Sequence, residues 1–406
     1  MLDRAFYRLI WESLSRDKPM VLMAGPRQVG KTTLARQLAA GFTNSVYANW
    51  DIPSDRARIV GGPRFFTEAP RRDDSPPLVV LDEVHKQRQW KSYLKGIYDA
   101  YAEDYRFLVT GSGRLDLYQR GGDSLAGRYL LFHLWPFTLA ELGGEDRSLE
   151  PFWRDPMRID LSRHKELMDI QTQLEELSGF PEPFLSGRRT SYRRWSAAYG
   201  RQLVREDIRD LADVRAVTEL ETLYHLLPSR VGSPLSAASL ARDLGVAYNT
   251  VQSWLTLLER FFLTFTVPTW TGKLSRAIRK DRKVYLLDTP RIEDPAARLE
   301  NLVAIELRRA VSGWSELGEG DFSLHCVRTK EGREVDFLVA DGRRPLLLVE
   351  VKLGDGHPDK GCLAIQRALR VPAVQLVRNA DTYRRLENDG LPLLVAPACC
   401  WLAGLP

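Results

Sequence analysis

The sequence predicts an α/β protein of three parts. These are a P-loop ATPase parallel sheet over residues 1–143, a helical and winged-helix region over 144–268, and a mixed α/β domain of restriction-endonuclease-like layout over 269–406. The prediction rests on a complete phosphate-loop motif set between an apolar run and a helical pattern, and on a series of short apolar runs alternating with helical stretches. It rests also on two late strands, one carrying an acid and the other ending in Glu-x-Lys. A chain of 406 residues holds two to three domains, and 44% hydrophobic with 27% charged residues is the balance of a folded globular chain.

In the first part, residues 20–24, 46–49, 78–81 and 107–110 read as buried strands of a parallel sheet. Residues 71–77 are polar and proline-containing, hence a loop, and 143–156 form a second break. Gly25, Pro26, Arg27, Gln28, Val29, Gly30, Lys31 and Thr32, followed by Thr33, spell G-x-x-x-x-G-K-[ST] after the first strand and at the start of a helix. The two glycines let backbone N–H groups turn toward phosphate oxygens at that helix N-terminus. Lys31 is expected to reach the β- and γ-phosphates and Thr32 to ligate Mg²⁺. The strand LVVLDE (78–83) ends in two acids: Asp82, expected to hold Mg²⁺ through water, and Glu83, expected to orient and deprotonate the attacking water. ATP and Mg²⁺ are therefore the expected cofactors. Thr110 or Ser112, ending the strand FLVTGS, is placed to sense the γ-phosphate; a capped strand end is the other reading. Arg128 is a candidate arginine finger, against the plainer reading of a surface charge.

In the middle part, Leu240 and Leu244 mark a short helix and Gly245 a turn. Val251, Trp254, Leu255 and Leu258 then repeat at helical spacing, and 262–268 reads as a wing strand. Tyr248, Asn249, Thr250, Gln252 and Ser253 are the residues such a helix would offer to a DNA groove. No Lys or Arg lies between 246 and 258, so an interface between domains or subunits is an equal reading. Lys273, Arg276, Arg279, Lys280, Arg282 and Lys283 form a basic stretch better suited to phosphates.

The third part reads as strand 284–287, helix 297–310, strands 335–340 and 346–351, helix 359–368 and strand 373–377. Asp336 and Glu350 on neighbouring strands can share a Mg²⁺, and Lys352, two residues from Glu350, shares its face. Such a lysine can stabilise or deprotonate a water for phosphodiester attack. This is the layout of a PD-(D/E)xK nuclease core, with Val335 where the pattern has proline.

The order GPRQVGKTT, VLDEVHK, LVTGSGR, LAGRYLLFHLWPFTLAEL resembles a family of prokaryotic AAA-type P-loop ATPases with a winged-helix region and a C-terminal domain labelled DUF4143. SGFPE (178–182), KVYLLD (283–288) and LENLVAIEL (299–307) are similar to further landmarks of that family. Gly113 stands where the family has serine, and Pro290 where it has glycine. The resemblance implies a homo-oligomer in the form of a ring, with Arg128 reaching a neighbour's ATP. Glu300 resembles the extra acid of Holliday-junction-resolvase-like nucleases, and Gln366 their polar helix residue.

Cys326, Cys362, Cys399 and Cys400 show no metal-ligand spacing; so few cysteines suggest a reducing compartment, the cytoplasm. No signal peptide and no membrane span is expected. A net charge of +5 permits nucleic-acid contact without requiring it. Two functions follow: an ATPase acting on DNA through a nuclease-like or DNA-binding domain, or an ATP-controlled regulatory switch whose C-terminal domain only recognises a partner.

Overall fold

The computed structural model describes residues 2–112, 125–144, 149–208, 216–271, 282–354, 356–378 and 382–406. Gly113 and the basic residues Lys273, Arg276, Arg279 and Lys280 lie outside them. The chain divides into two compact units, Met1–Trp135 and Pro136–Pro406.

The first unit is built on five parallel strands: β1 (Met20–Ala24), β2 (Ser45–Asn49), β3 (Leu78–Asp82), β4 (Arg106–Gly111) and β5 (Tyr129–His133), in the order β2-β3-β4-β1-β5. Every residue of β1 and β3 is buried, as expected of central strands covered on both faces. Phe66, Leu94, Ile97 and Phe107 belong to one core with strand residues Leu22, Val79 and Leu81. The edge strand β5 escaped the sequence reading because most of its side chains are only partly buried. Parallel pairing puts the C-terminal ends of β1, β2, β3 and β4 at one edge, where a doubly wound sheet binds ligands.

The second unit begins with helices. Residues 143–156, expected as a break, contain the helix Leu149–Arg154. The helix Ala237–Leu244 ends at Gly245 and is followed by Tyr248–Arg260, whose buried face is Val251, Trp254 and Leu258; Leu255 is only half-buried. The hairpin β6 (Thr264–Pro268) and β7 (Arg282–Leu286) comes next. The strand expected at 284–287 thus pairs with β6, across the expected segment boundary, and takes no place in the larger sheet. That sheet has six strands: β8 (Phe322–Arg328), β9 (Glu334–Asp341), β10 (Arg344–Lys352), β11 (Ala373–Val377), β12 (Arg384–Asn388) and β13 (Leu391–Pro397). β8, β9 and β10 pair antiparallel, β10-β11-β13 parallel, and β12 closes the edge antiparallel. Helix Pro295–Glu316 extends the expected 297–310 at both ends, and its side chains from Leu299 to Trp314 are largely buried. Pro290 begins no left-handed turn; it sits in the 3₁₀ turn Thr289–Arg291.

Candidate functional site

The phosphate loop joins β1 to the helix Lys31–Ala40. Gly25 has φ 153°, and a Cβ there would lie 2.3 Å from the Leu134 carbonyl oxygen, so only glycine fits. Gly30, at φ 101°, opens the helix. Lys31 is 6% exposed, and its Nζ donates to the carbonyls of Gly25 at 3.1 Å and Pro26 at 2.7 Å. Burial lowers its pKa to about 8, against the attraction of Glu83 and Asp82. Val29 is buried, while Gln28 and Thr33 are exposed. The buried guanidinium of Arg4 clamps the loop, donating to Val29 O at 3.1 Å and Trp135 O at 2.7 Å. A lone arginine near the N-terminus gave no signal of this in the sequence.

Asp82, with no exposed surface, is the centre of the site. Its Oδ2 accepts from Thr32 Oγ1 at 2.8 Å, Tyr47 OH at 2.5 Å and Asn49 Nδ2 at 3.2 Å, and its Oδ1 accepts from Thr110 Oγ1. Strand register explains the gathering, since Asn49 pairs with Asp82 and Asp82 with Thr110. Tyr47 and Asn49 were missed as site residues; the available signal was a polar residue ending a strand level with an acid. Burial, then the bond to Asp82, pushes the Tyr47 hydroxyl up to about 12, so it stays a donor. Thr110, one of the two sensor candidates, is spent on Asp82; Ser112 is buried just beyond β4.

Glu83 sits at φ 58°, a left-handed conformation that a non-glycine residue adopts only when its surroundings impose it. Its N–H donates to Thr110 O at 3.1 Å, and its carboxylate lies 3.3 Å from Lys86 Nζ. The left-handed turn takes Glu83 out of line with β3. Arg128 makes a two-pronged pair with Asp99 of its own chain, Nε at 2.6 Å and Nη2 at 3.2 Å. The hard oxygens of Thr32 and Asp82, 2.8 Å apart, suit a Mg²⁺ shared with phosphate oxygens and water.

Residues 17–143 match the family model described as an AAA domain. The N-terminal part of the chain carries a P-loop domain of the AAA type. Residues 172–290 match a domain of unknown function, DUF8612, a match that falls mainly on the middle part and not on 269–406, where DUF4143 is expected. Curated relatives include the uncharacterized protein Rv2008c of Mycobacterium tuberculosis, 24% identical over 80% of this chain and 69% of its own. Another is the uncharacterized protein MJ1637 of Methanocaldococcus jannaschii, 23% identical over 67% of this chain and 61% of its own. A Walker-type ATPase of Pyrococcus abyssi aligns over 72% of this chain and 95% of its own at 16% identity and TM-score 0.46.

In the second unit the sheet brings the expected acids together. Pairing of Val349 with Phe337 sets Glu350 beside Asp336. Glu350 Oε2 accepts from Asp336 N at 3.3 Å, Asp336 Oδ2 accepts from Val351 N at 3.0 Å, and Lys352 Nζ lies 2.6 Å from Glu350 Oε1. Glu300 approaches from its helix, as expected. The cation at the meeting point is one the sequence did not assign there: Lys283 of β7, 3% exposed. Its Nζ lies 3.0 Å from Glu300, 2.8 Å from Glu334 and 3.0 Å from Asp336. Burial alone would lower its pKa, but Asp336, Glu300 and Glu334 hold it raised. Burial and the Asp336 charge raise both Glu300 and Glu350. Among the described residues no group of three His, Cys, Asp or Glu side chains is spaced to hold a metal ion. The expected metal ligands Asp336 and Glu350 lie side by side, with the Lys283 ammonium against Asp336 and the Lys352 ammonium against Glu350. Gln366 contacts Pro392 O and Asn388, not the acids.

Among the described residues no helix is long and apolar enough to cross a membrane.

Proposed function

We propose that this protein binds ATP with Mg²⁺ and hydrolyses it, and that it acts on nucleic acid, DNA, through its C-terminal unit. The observation that carries the first half is the pairing of Thr32 with Asp82 at 2.8 Å under a complete phosphate loop. Mg²⁺ bound there supplies Lewis-acid neutralisation of phosphate charge. The chain's own parts do the rest. Loop N–H groups and Lys31 take the phosphate oxygens, drawing the lysine off the Gly25 and Pro26 carbonyls. Asp82 is held in place by Tyr47, Asn49 and Thr110. Glu83, carried on its left-handed turn, orients water and accepts its proton. Arg128 acts across an oligomer interface once released from Asp99.

Support for the second half is the helix pair Ala237–Leu244 and Tyr248–Arg260 followed by a hairpin, a winged-helix arrangement. Tyr248, Asn249 and Ser253 are exposed on the second helix. A cleft of about 370 Å³ lined by Arg193, Arg201 and Arg291, with Glu221 among them, offers cations to a phosphate backbone. The division at 143/144 and 268/269, with a DUF4143-type last domain and a cytoplasmic location, belongs to the same proposal.

The alternative, an ATP-controlled switch with a non-catalytic C-terminal domain, is favoured by Lys283 among the acids. ATP turnover measured with and without duplex, single-stranded and branched DNA separates them. Stimulation of several-fold by one DNA form supports action on DNA; turnover indifferent to every form, with no DNA bound at low salt, supports the switch.

A further inference from the structure

We infer that Lys283 is a built-in replacement for a divalent cation, so that the C-terminal acid cluster is a closed electrostatic latch and not a cleavage centre. The three N–H bonds of its ammonium face three carboxylates, Glu300, Glu334 and Asp336, all within 3.0 Å. Further donors hold the same acids: Tyr285 OH donates at 2.7 Å to the Glu300 oxygen that faces Lys283, Val351 N to the second oxygen of Asp336, and Lys352 to Glu350. A Mg²⁺ requires oxygens at about 2.1 Å in an octahedron, a space this ammonium already fills, and its charge would add to that of Lys283.

The lysine cannot easily withdraw, because its backbone is fixed on two sides. Lys283 pairs with Val267 of β6 and bridges to Pro234. The acids come from the helix Pro295–Glu316 and from β9. One side chain thereby ties the hairpin to the six-stranded sheet, and removing it would leave buried carboxylates uncompensated.

The inference is independent of ATP hydrolysis, and its test uses the full-length protein without nucleotide. Mn²⁺ binding is measured by its paramagnetic resonance signal for the wild type and for Lys283→Ala. Iron-directed hydroxyl-radical cleavage of the wild-type chain is mapped alongside. The wild type should bind no Mn²⁺ at this cluster and show no cuts near residues 336 and 350. Lys283→Ala should bind one Mn²⁺ that the wild type does not, with a rise in melting temperature on adding the metal. Radical cuts at 336 and 350 in the wild type would overturn the inference. So would Mn²⁺-dependent DNA cleavage lost in Asp336→Ala, or a folded Lys283→Ala that binds no Mn²⁺. Should Lys283→Ala fail to fold, the wild-type cleavage map decides alone.

Discussion

Glu306, on the helix Pro295–Glu316, has no exposed surface, and its carboxylate accepts from the Leu139 N–H at the start of the helix Leu139–Gly143. Burial raises its pKa to about 7, against the pull of Arg309 and the N–H groups of Leu139 and Ala140. The folded state therefore holds this proton more tightly than the unfolded chain does. Its contribution is fully present below the unfolded value of 4.5 and is lost as pH rises through about 7. Glu306→Gln, neutral throughout, escapes that loss. The difference between variant and wild type should shift in the variant's favour by up to about 3 kcal/mol between about pH 4.5 and about pH 7.5. Thermal unfolding of both proteins across that range checks it; a constant difference would contradict the role given to burial. Single residues were legible where a motif fixes chemistry to spacing, as with Lys31, Thr32 and Asp82. Arg4, Tyr47, Asn49 and Lys283 were not, because each acquires its partner only when distant strands or loops meet. Lys283 in particular reads as one more charge in a basic run until β7 is seen against Glu300 and Asp336.

The phosphate loop depends on the close approach of Gly25 to the chain after β5. Gly25→Ala would drive a methyl group to 2.3 Å from the Leu134 carbonyl, and backbone cannot give way as a side chain does. The variant should lose about 1–3 kcal/mol of stability and bind a fluorescent ATP analogue at least about tenfold more weakly, since the loop N–H groups move with the backbone. Wild-type affinity in a titration would show that the loop tolerates the shift. Elements with continuous apolar runs were legible: β1, β3, β4 and β11 stand within a residue of their expected bounds. β12 was not, because an exposed edge strand of sequence RRLEN carries no apolar pattern. β7 was found but given the wrong neighbour, since an apolar strand does not announce which sheet it joins.

At the scale of the whole molecule, an active site shared between subunits requires Arg128 to exchange Asp99 for a neighbour's ATP. Turnover per subunit should then rise with protein concentration, and Arg128→Ala should lower it about 100-fold or more with nucleotide affinity nearly unchanged. Light scattering with ATP alongside a rate-against-concentration series tests this; a monomer hydrolysing at full rate would contradict it. The sequence reads as three parts where the structure divides into two compact units, Met1–Trp135 and Pro136–Pro406, and the neutralisation of the acid cluster depends on one lysine's position. ATP turnover depends most directly on Glu83 as the water-activating group of the proposed site of Lys31 and Asp82. The most direct measurement is ATP binding and phosphate release by Glu83→Gln beside Lys31→Ala. The expected result is that Glu83→Gln binds ATP as the wild type does but releases phosphate at least about 100-fold more slowly, while Lys31→Ala binds no ATP. Phosphate release by Glu83→Gln at the wild-type rate would contradict the account.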